Sequence, residues 1–287
     1  MPELPEVEAL RGFLEERLVG RGAARIHLTA FSALKTFEMP LESLLGLEIS
    51  AVSRHGKFLD VDAQGTHLCF HLARAGSVKW HDVAPTGIPK PGKGPLSLRV
   101  VLDDDAGFDL TEAGTQRKLA LHVVADPQDV PAIATLGPDP LSEAFTREVF
   151  GQILDAAGKA QIKGVLRDQR TIAGIGNAYS DEILHVARLS PFKPVASLDD
   201  EERATLYAAL RSTLAGAVER ASGLAAKELK DDKRSHLRVH GRAGEACEVC
   251  GTTIAQVSFT DSSLQYCPGC QTGGKVLADR RLSKLLK

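Results

Sequence analysis

Two periodicities divide the chain. In its first part the apolar residues fall in short runs, "RIHLTAF", "LEISAVSRHGKFLDVDA", "HLCFHLA", "LSLRVVLDD", "GFDLTEA" and "KLALHVVA", separated by Gly, Pro and Asp. Short runs bounded by turn residues predict β-strands. Ahead of them, "MPELPEVEALRGFLEERLVG" spaces its apolar residues as an acidic amphipathic helix does. The stretch "HDVAPTGIPKPGKGP" is too rich in Pro and Gly for either period and predicts an exposed loop.

After "LGPDPLS" the spacing changes. From Glu143 apolar residues recur every three or four positions in "EAFTREVFGQILDAAG", "QIKGVLRDQ", "AYSDEILHVARL" and "DDEERATLYAALRSTLAGAVERA", which predicts helices. The resulting plan is an α+β multidomain chain. A helix and sheet-rich domain covers residues 1–132, a linker 133–142, a helical domain 143–241, a cysteine-bearing module 242–272 and a basic tail 273–287. The chain carries no internal repeat.

Composition narrows the functional classes. With 287 residues, 43% hydrophobic and 25% charged, the chain can bury more than one core. No apolar run approaches the ~20 residues that span a bilayer, and the opening helix lacks a basic leader, so a cytoplasmic protein is expected. The net charge of −2 excludes attraction of the whole molecule to a polyanion. Charge is uneven, however: eleven Lys or Arg face seven Asp or Glu from Lys227 to Lys287. Affinity for a polyanion is expected at that end.

Four of the five cysteines form C-x2-C-x16-C-x2-C, through Cys247, Cys250, Cys267 and Cys270. Two such knuckles can present four thiolates to one structural Zn²⁺, and a chain without a secretory leader makes paired disulfides the weaker alternative. Cys69, inside "HLCFHL", reads as a small buried hydrophobe.

Two further segments carry chemistry. In "QIKGVLRDQRTIAGIGNAYSDEIL" a helix runs into Gly174 and Gly176 and a second helix begins at Asn177. Backbone N–H groups of such a turn, with Lys163 and Asn177 beside them, suit a phosphate; the same glycines also suit a plain connector. At the start, Pro2 follows a methionine that a small second residue allows to be removed, and Glu3 lies next to it. A freed Pro2 would be a secondary amine with the α-amino pKa of about 7.7 to 8.0, unprotonated in part at neutrality. Pro5, Glu6 and Glu8 are explained by helix initiation alone, which leaves Pro2 unexplained.

In order, "MPELPEVE", the Lys of "SRHGKFL", "LGPDPLS", "IKGVLRDQRTIAGIGNAYSDEIL" and "CPGC" resemble the formamidopyrimidine-DNA glycosylase and endonuclease VIII family over nearly the whole chain. The resemblance implies an N-terminal helix with a β-sandwich, a helix-two-turn-helix domain and a zinc finger. It implies base-excision repair enzymes that remove oxidised bases and then cleave the strand by β- and δ-elimination. One structural zinc, damaged or abasic double-stranded DNA as partner, a monomeric state and a bacterial-type, nucleoid-associated location go with it. Carried onto this chain, Pro2 is the nucleophile, Glu3 the acid, Glu6 a supporting residue and Lys57 a contact to the phosphate beside the lesion. Lys163, Gly174, Gly176 and Asn177 hold backbone.

The chain also departs from the family. Ser262 stands where members carry a phosphate-gripping Arg, with Arg280, Arg281 and Lys284 as conceivable substitutes. In "HLARAG" Arg74 takes the place of a Met that fills the gap left by an everted base. "TQRKLA" puts Arg117 at an inserted Arg and Leu119 at an aromatic wedge. "LAAKELKDDKRSHLRVHGR" is shorter than the loop that covers an oxidised purine, which points away from 8-oxoguanine. Two functions follow: a bifunctional DNA glycosylase and abasic-site lyase, or a catalytically weakened relative that binds abasic or single-stranded nucleic acid. A zinc-ribbon RNA-binding protein is the remoter third, for which Pro2 and the sandwich have no use.

Overall fold

The computed structural model describes residues 1–278 apart from 93, 115 and 261. Arg280, Arg281 and Lys284, the conceivable substitutes for the missing Arg, lie outside the described residues. The chain forms two compact units, one of residues 1–136 with 220–230, the other of residues 137–219 with 231–287.

In the first unit, α1 (Leu4–Leu18) leads into eight strands: β1 (Ala23–Leu28), β2 (Ile49–His55), β3 (Phe58–Ala63), β4 (Thr66–His71), β5 (Gly76–His81), β6 (Leu96–Leu102), β7 (Gly107–Glu112) and β8 (Ala120–Val124). They make two antiparallel four-stranded sheets, ordered β1-β6-β7-β5 and β2-β3-β4-β8. One core joins both sheets and the helix, with Leu10, Leu14 and Leu18 of α1 packed among Val52, Leu59, Phe70, Leu98, Phe108, Leu110 and Leu121. This is the sandwich that the resemblance implies. Strand β5, "GSVKWH", has no counterpart among the sequence-predicted runs. It is an edge strand that buries only Val78, so little apolar signal marks it.

A small cluster of Cys69, Val124, Val130 and Ile133, the last on α2 (Pro131–Ala134), forms beside the main core. Cys69 is fully buried there, and burial pushes its thiol well up, as an inert hydrophobe requires.

The second unit holds α3 (Arg147–Ala157), α4 (Ile162–Arg167), α5 (Asn177–Val186), most of α6 (Asp200–Ala221) and α7 (Leu229–His236) from Asp231 on. A hairpin of β9 (Ala255–Ser258) and β10 (Ser263–Tyr266) and the short α8 (Pro268–Gln271) complete it. The helices and the cysteine-bearing module, two domains on sequence, fall into one compact unit. Residues 220–230 depart from the expected helical domain: Ala221 and Leu229 join the sandwich core. Among the described residues no helix is long and apolar enough to cross a membrane.

The turn from β4 to β5 carries Arg74 at its exposed tip, after Ala73 at φ 52°. It closes through Gly76 N–H donating to Leu72 O at 2.8 Å, and a Cβ on Gly76 would lie 2.1 Å from that oxygen. Gly76→Ala should therefore cost about 1–3 kcal/mol, the range of an overpacked site. Urea unfolding checks it, and an unchanged midpoint would contradict the tight closure.

Candidate functional site

The start of the chain is a fixed structure. Glu3 is the N-cap of α1, in extended geometry, and its N–H donates to Glu6 Oε2 at 2.8 Å. Pro5 in the first turn has the helical φ already set. Glu3 is 2% exposed and Glu6 4%, so both acids of "PELPE" are inside the protein. Glu6 thus grips the backbone on which Pro2 and Glu3 sit. Pro2 itself is half-buried.

One turn further along, Glu8 Oε2 accepts from Arg54 Nε at 2.7 Å, and Arg54 Nη1 donates to Gly56 O at 3.2 Å. Gly56 and Lys57 are the two residues between the paired ends His55 and Phe58 of β2 and β3, and Gly56 supplies the left-handed φ of 57° that this hairpin needs. Arg54, its side chain 9% exposed, therefore ties the first turns of α1 to the turn that presents Lys57. Burial raises the Glu8 carboxyl, but Arg54 and Arg11 outweigh it and hold the group below the usual glutamate range. The contribution of this clamp to stability is complete above about pH 4.3 and fades as pH falls through the lower folded value.

His71 completes this corner. Its ring centroid is 4.9 Å from that of Phe58, and burial, with the Lys57 charge, depresses it to about 4. Nδ1 accepts the N–H of Ala73 at 3.1 Å, so the neutral ring carries its proton on Nε2. Sequence reasoning passed over His71, Arg54 and the clamping role of Glu8. The place of Arg54 three residues before Lys57 was the available signal.

The two gap-filling candidates separate. Arg117 is exposed and donates from Nη2 to Gly94 O at 2.6 Å. Leu119, expected as a wedge, is 2% exposed within the sandwich core, and its N–H is held at 3.0 Å by the buried Glu112 carboxylate. A side chain committed to the core cannot enter a base stack, so the wedge assignment for Leu119 is corrected.

In the second unit the glycine turn is built around Gln169. Its Oε1 accepts from Gly174 N at 3.0 Å, and its Nε2 donates to Ile175 O and Arg167 O at 2.7 and 2.8 Å. Gly174 has φ 87°, and Gly176 is the N-cap of α5. Asn177 Nδ2 donates to Ser263 O at 2.7 Å, which fixes the head of α5 to β10.

Lys163 lies deeper than its sequence position suggests. It is 5% exposed, and its ammonium donates to Asp181 Oδ1 at 2.6 Å, Ser180 Oγ at 2.7 Å and Asn177 O at 3.2 Å. That ammonium faces inward, neutralises Asp181 and supports the first turn of α5.

Asp181, Glu182 and His185 share one face of α5, as residues spaced three and four apart do. Asp181 Oδ2 is 2.7 Å from His240 Nδ1 and accepts from Gln265 N at 3.2 Å. The buried Glu182 carboxylate accepts from the N–H groups of Arg238, Val239 and His240 at 2.7, 3.0 and 2.8 Å. This face anchors both the segment entering the cysteine module and its hairpin.

The thiols converge. Cys250 Sγ lies 3.3 Å from Cys267 Sγ and 3.4 Å from Cys270 Sγ, and Cys247 Sγ is 3.9 Å from Cys270 Sγ. Four sulfurs on a tetrahedron with bonds of about 2.3 Å stand about 3.8 Å apart, so the donor set fits one structural zinc. Gly269 of "CPGC" lets the knuckle close, since a Cβ there would lie 2.4 Å from Thr252 Oγ1 and 3.0 Å from Cys250 Sγ. His185 offers a fifth donor: with Cys247, Cys267 and Cys270 its ligand atoms all lie within 4.8 Å of one another.

Family profiles match along the chain. The formamidopyrimidine-DNA glycosylase N-terminal domain covers residues 1–120, the H2TH domain of that glycosylase 136–228, and the zinc finger found in FPG and IleRS 244–273. A Mycobacterium tuberculosis protein named formamidopyrimidine-DNA glycosylase-like is 53% identical over 157 residues, spanning 55% of this chain and 98% of its own. The Symbiobacterium thermophilum formamidopyrimidine-DNA glycosylase is 34% identical, over 98% of this chain and 93% of its own. The solved Lactococcus lactis glycosylase, non-covalently bound to DNA containing an AP site, is 27% identical with a TM-score of 0.81, covering 94% and 99% of the two chains.

Because Lys163 and Asp181 neutralise each other inside the protein, Lys163→Ala should cost about 3–5 kcal/mol by stranding a buried carboxylate. Thermal unfolding with a salt titration of DNA binding checks it. Loss of stability with an unaltered salt slope is expected; full stability with a slope reduced by about one would restore the phosphate role.

Proposed function

Because the chain belongs to the formamidopyrimidine-DNA glycosylase family, we propose that it is a base-excision-repair glycosylase acting on double-stranded DNA with oxidised bases or abasic sites. We further infer that it cleaves the strand afterwards by β- and δ-elimination from an iminium at Pro2. The observation that carries this reading is the construction at the chain's start: Glu3 buried beside Pro2, its backbone gripped by Glu6, and α1 clamped through Glu8 and Arg54 to the Lys57 turn.

With Met1 removed, Pro2 is a secondary amine: its nitrogen bonds to C1′ of the damaged nucleotide as the base leaves, loses its one N–H proton, and opening of the C1′–ring-oxygen bond yields an iminium that has no further proton to lose and so stays charged. Glu3 supplies the proton that lets the sugar ring oxygen or the base depart. Lys57 and the Nε2–H of neutral His71 are the donors for the flanking phosphate, one charged and one not. The glycine turn at Gly174 and Gly176 with Asn177 takes a second stretch of backbone, with Lys163 positioning α5 beneath it. Arg74 and Arg117, exposed on their loops, are the candidates to fill the space of the everted base. Bound at the cysteines, zinc supplies a cross-link and no activated water, since four thiolates close its coordination.

The region expected to replace a purine-covering loop includes α7, where Lys233 Nζ stands 4.5 Å over the Tyr179 ring. The shortness and charge of this segment support a substrate other than 8-oxoguanine. One observation keeps a second reading open, a weakened relative that binds abasic or single-stranded nucleic acid: Ser262 offers no guanidinium for the phosphates.

Incision assays separate the two. Wild-type protein should cut a preformed abasic duplex, Pro2→Gly should cut it more slowly, and Glu3→Gln should lose about 10²–10⁴-fold in base excision with a smaller loss at the preformed site. Tight binding of abasic DNA with no incision by any form would instead establish the weakened binder. Arg54→Ala should lower the incision rate at saturating DNA about 100-fold while altering DNA affinity little, because it displaces the reacting groups without removing one. An equal effect on both would show that Arg54 holds DNA itself.

A further inference from the structure

Five donor atoms converge where zinc has four positions. We propose that the four thiolates close the metal and that His185 serves the centre from outside, its Nε2–H donating a hydrogen bond to the Cys247 thiolate. Helix α5 is then an outer-sphere part of the zinc site.

The first argument is geometric. Cys250 Sγ lies 3.3 Å from Cys267 Sγ and 3.4 Å from Cys270 Sγ, and Cys270 Sγ 3.9 Å from Cys247 Sγ, separations near the edge of about 3.8 Å of a four-sulfur zinc site. His185 Nε2 lies 3.4 Å from Cys247 Sγ, a separation suited to N–H···S. The second argument concerns the far side of the ring. A metal-bound imidazole carries its proton on the other nitrogen and gives it to a carbonyl, carboxylate or water. His185 Nδ1 is buried and has no partner among the described residues. Ligation through Nε2 would strand an N–H donor there, whereas donation from Nε2 leaves only a bare lone pair.

The third argument is charge. Four thiolates on one Zn²⁺ leave an excess of two negative charges in a partly buried place, and such a centre needs donors aimed at sulfur. Cys270 N–H supplies one to Cys267 Sγ at 3.4 Å, and His185 supplies another to Cys247. The consequence reaches the DNA-binding turn. The helix that carries His185 also carries Asp181 and Glu182, the anchors of the cysteine module, and begins at Gly176 and Asn177. His185 adds the metal itself to that series of anchors, as a positioning residue.

The test uses the full chain, with cobalt(II) in place of zinc to report the ligand set and a chromogenic chelator to report zinc release. His185→Phe, which keeps the bulk of the ring, should leave the four-thiolate absorption unchanged while releasing zinc about 10- to 100-fold faster. His185→Gln, whose amide N–H can still reach the sulfur, should recover part of that loss. Cys250→Ser should alter the cobalt spectrum. A changed spectrum in His185→Phe, or a three-sulfur, one-nitrogen spectrum retained in Cys250→Ser, would make His185 a ligand and overturn the proposal, as would an unchanged release rate in His185→Phe. Should His185→Phe fail to fold, nitrogen-15 resonances of the wild-type imidazole decide: a protonated Nε2 is expected, and a metal-bound Nε2 contradicts it.

Discussion

A chain end is ordinarily the least ordered part of a domain. Here the end carries the proposed chemistry, and buried contacts of the first unit hold it still. Leu4, Leu14 and Leu18 are fully buried along α1, so the helix is fixed by the sandwich core before any polar contact is counted. The polar contacts then set its head. Glu6 takes the Glu3 N–H, Glu8 takes Arg54, and Arg54 holds the carbonyl of the Lys57 turn. Losing one member of such a chain of buried charges exposes the others to the full cost of desolvation.

The second unit solves a similar problem with a single helix. The helix α5 starts at the glycine turn, buries Asp181, Glu182 and His185 on one side, and uses them to hold residues 238–240, β10 and Cys247. Lys163 balances Asp181 from below. A ribbon as small as the cysteine module has little core of its own, Val239 and Ile254 with the cysteines themselves, so metal and helix together supply what hydrophobic burial cannot.

How much of this was legible in the sequence varies with the physics involved. Zinc ligation leaves a fixed spacing, so Cys247, Cys250, Cys267 and Cys270 could be read at once, and the helix and most strands showed their periods. Side-chain direction leaves no such trace. Lys163 looked like a phosphate contact because its partner Asp181 lies eighteen residues away, on another helix. Leu119 looked like a wedge because alignment does not reveal that its strand end enters the core. His185 fell in an apolar helical pattern and was passed over, although its spacing from Asp181 and Glu182 marks a common face.

The central claim is that the reacting group is the amine of residue 2, held where Glu3 can serve it. The most direct measurement is to reduce the reaction with abasic DNA using sodium borohydride, digest the cross-linked protein and locate the DNA-bearing residue by mass spectrometry. The account predicts a stable adduct on Pro2 in chains that have lost Met1, and none in chains that retain it. An adduct on Lys57, or one that forms undiminished with Met1 in place, would contradict it.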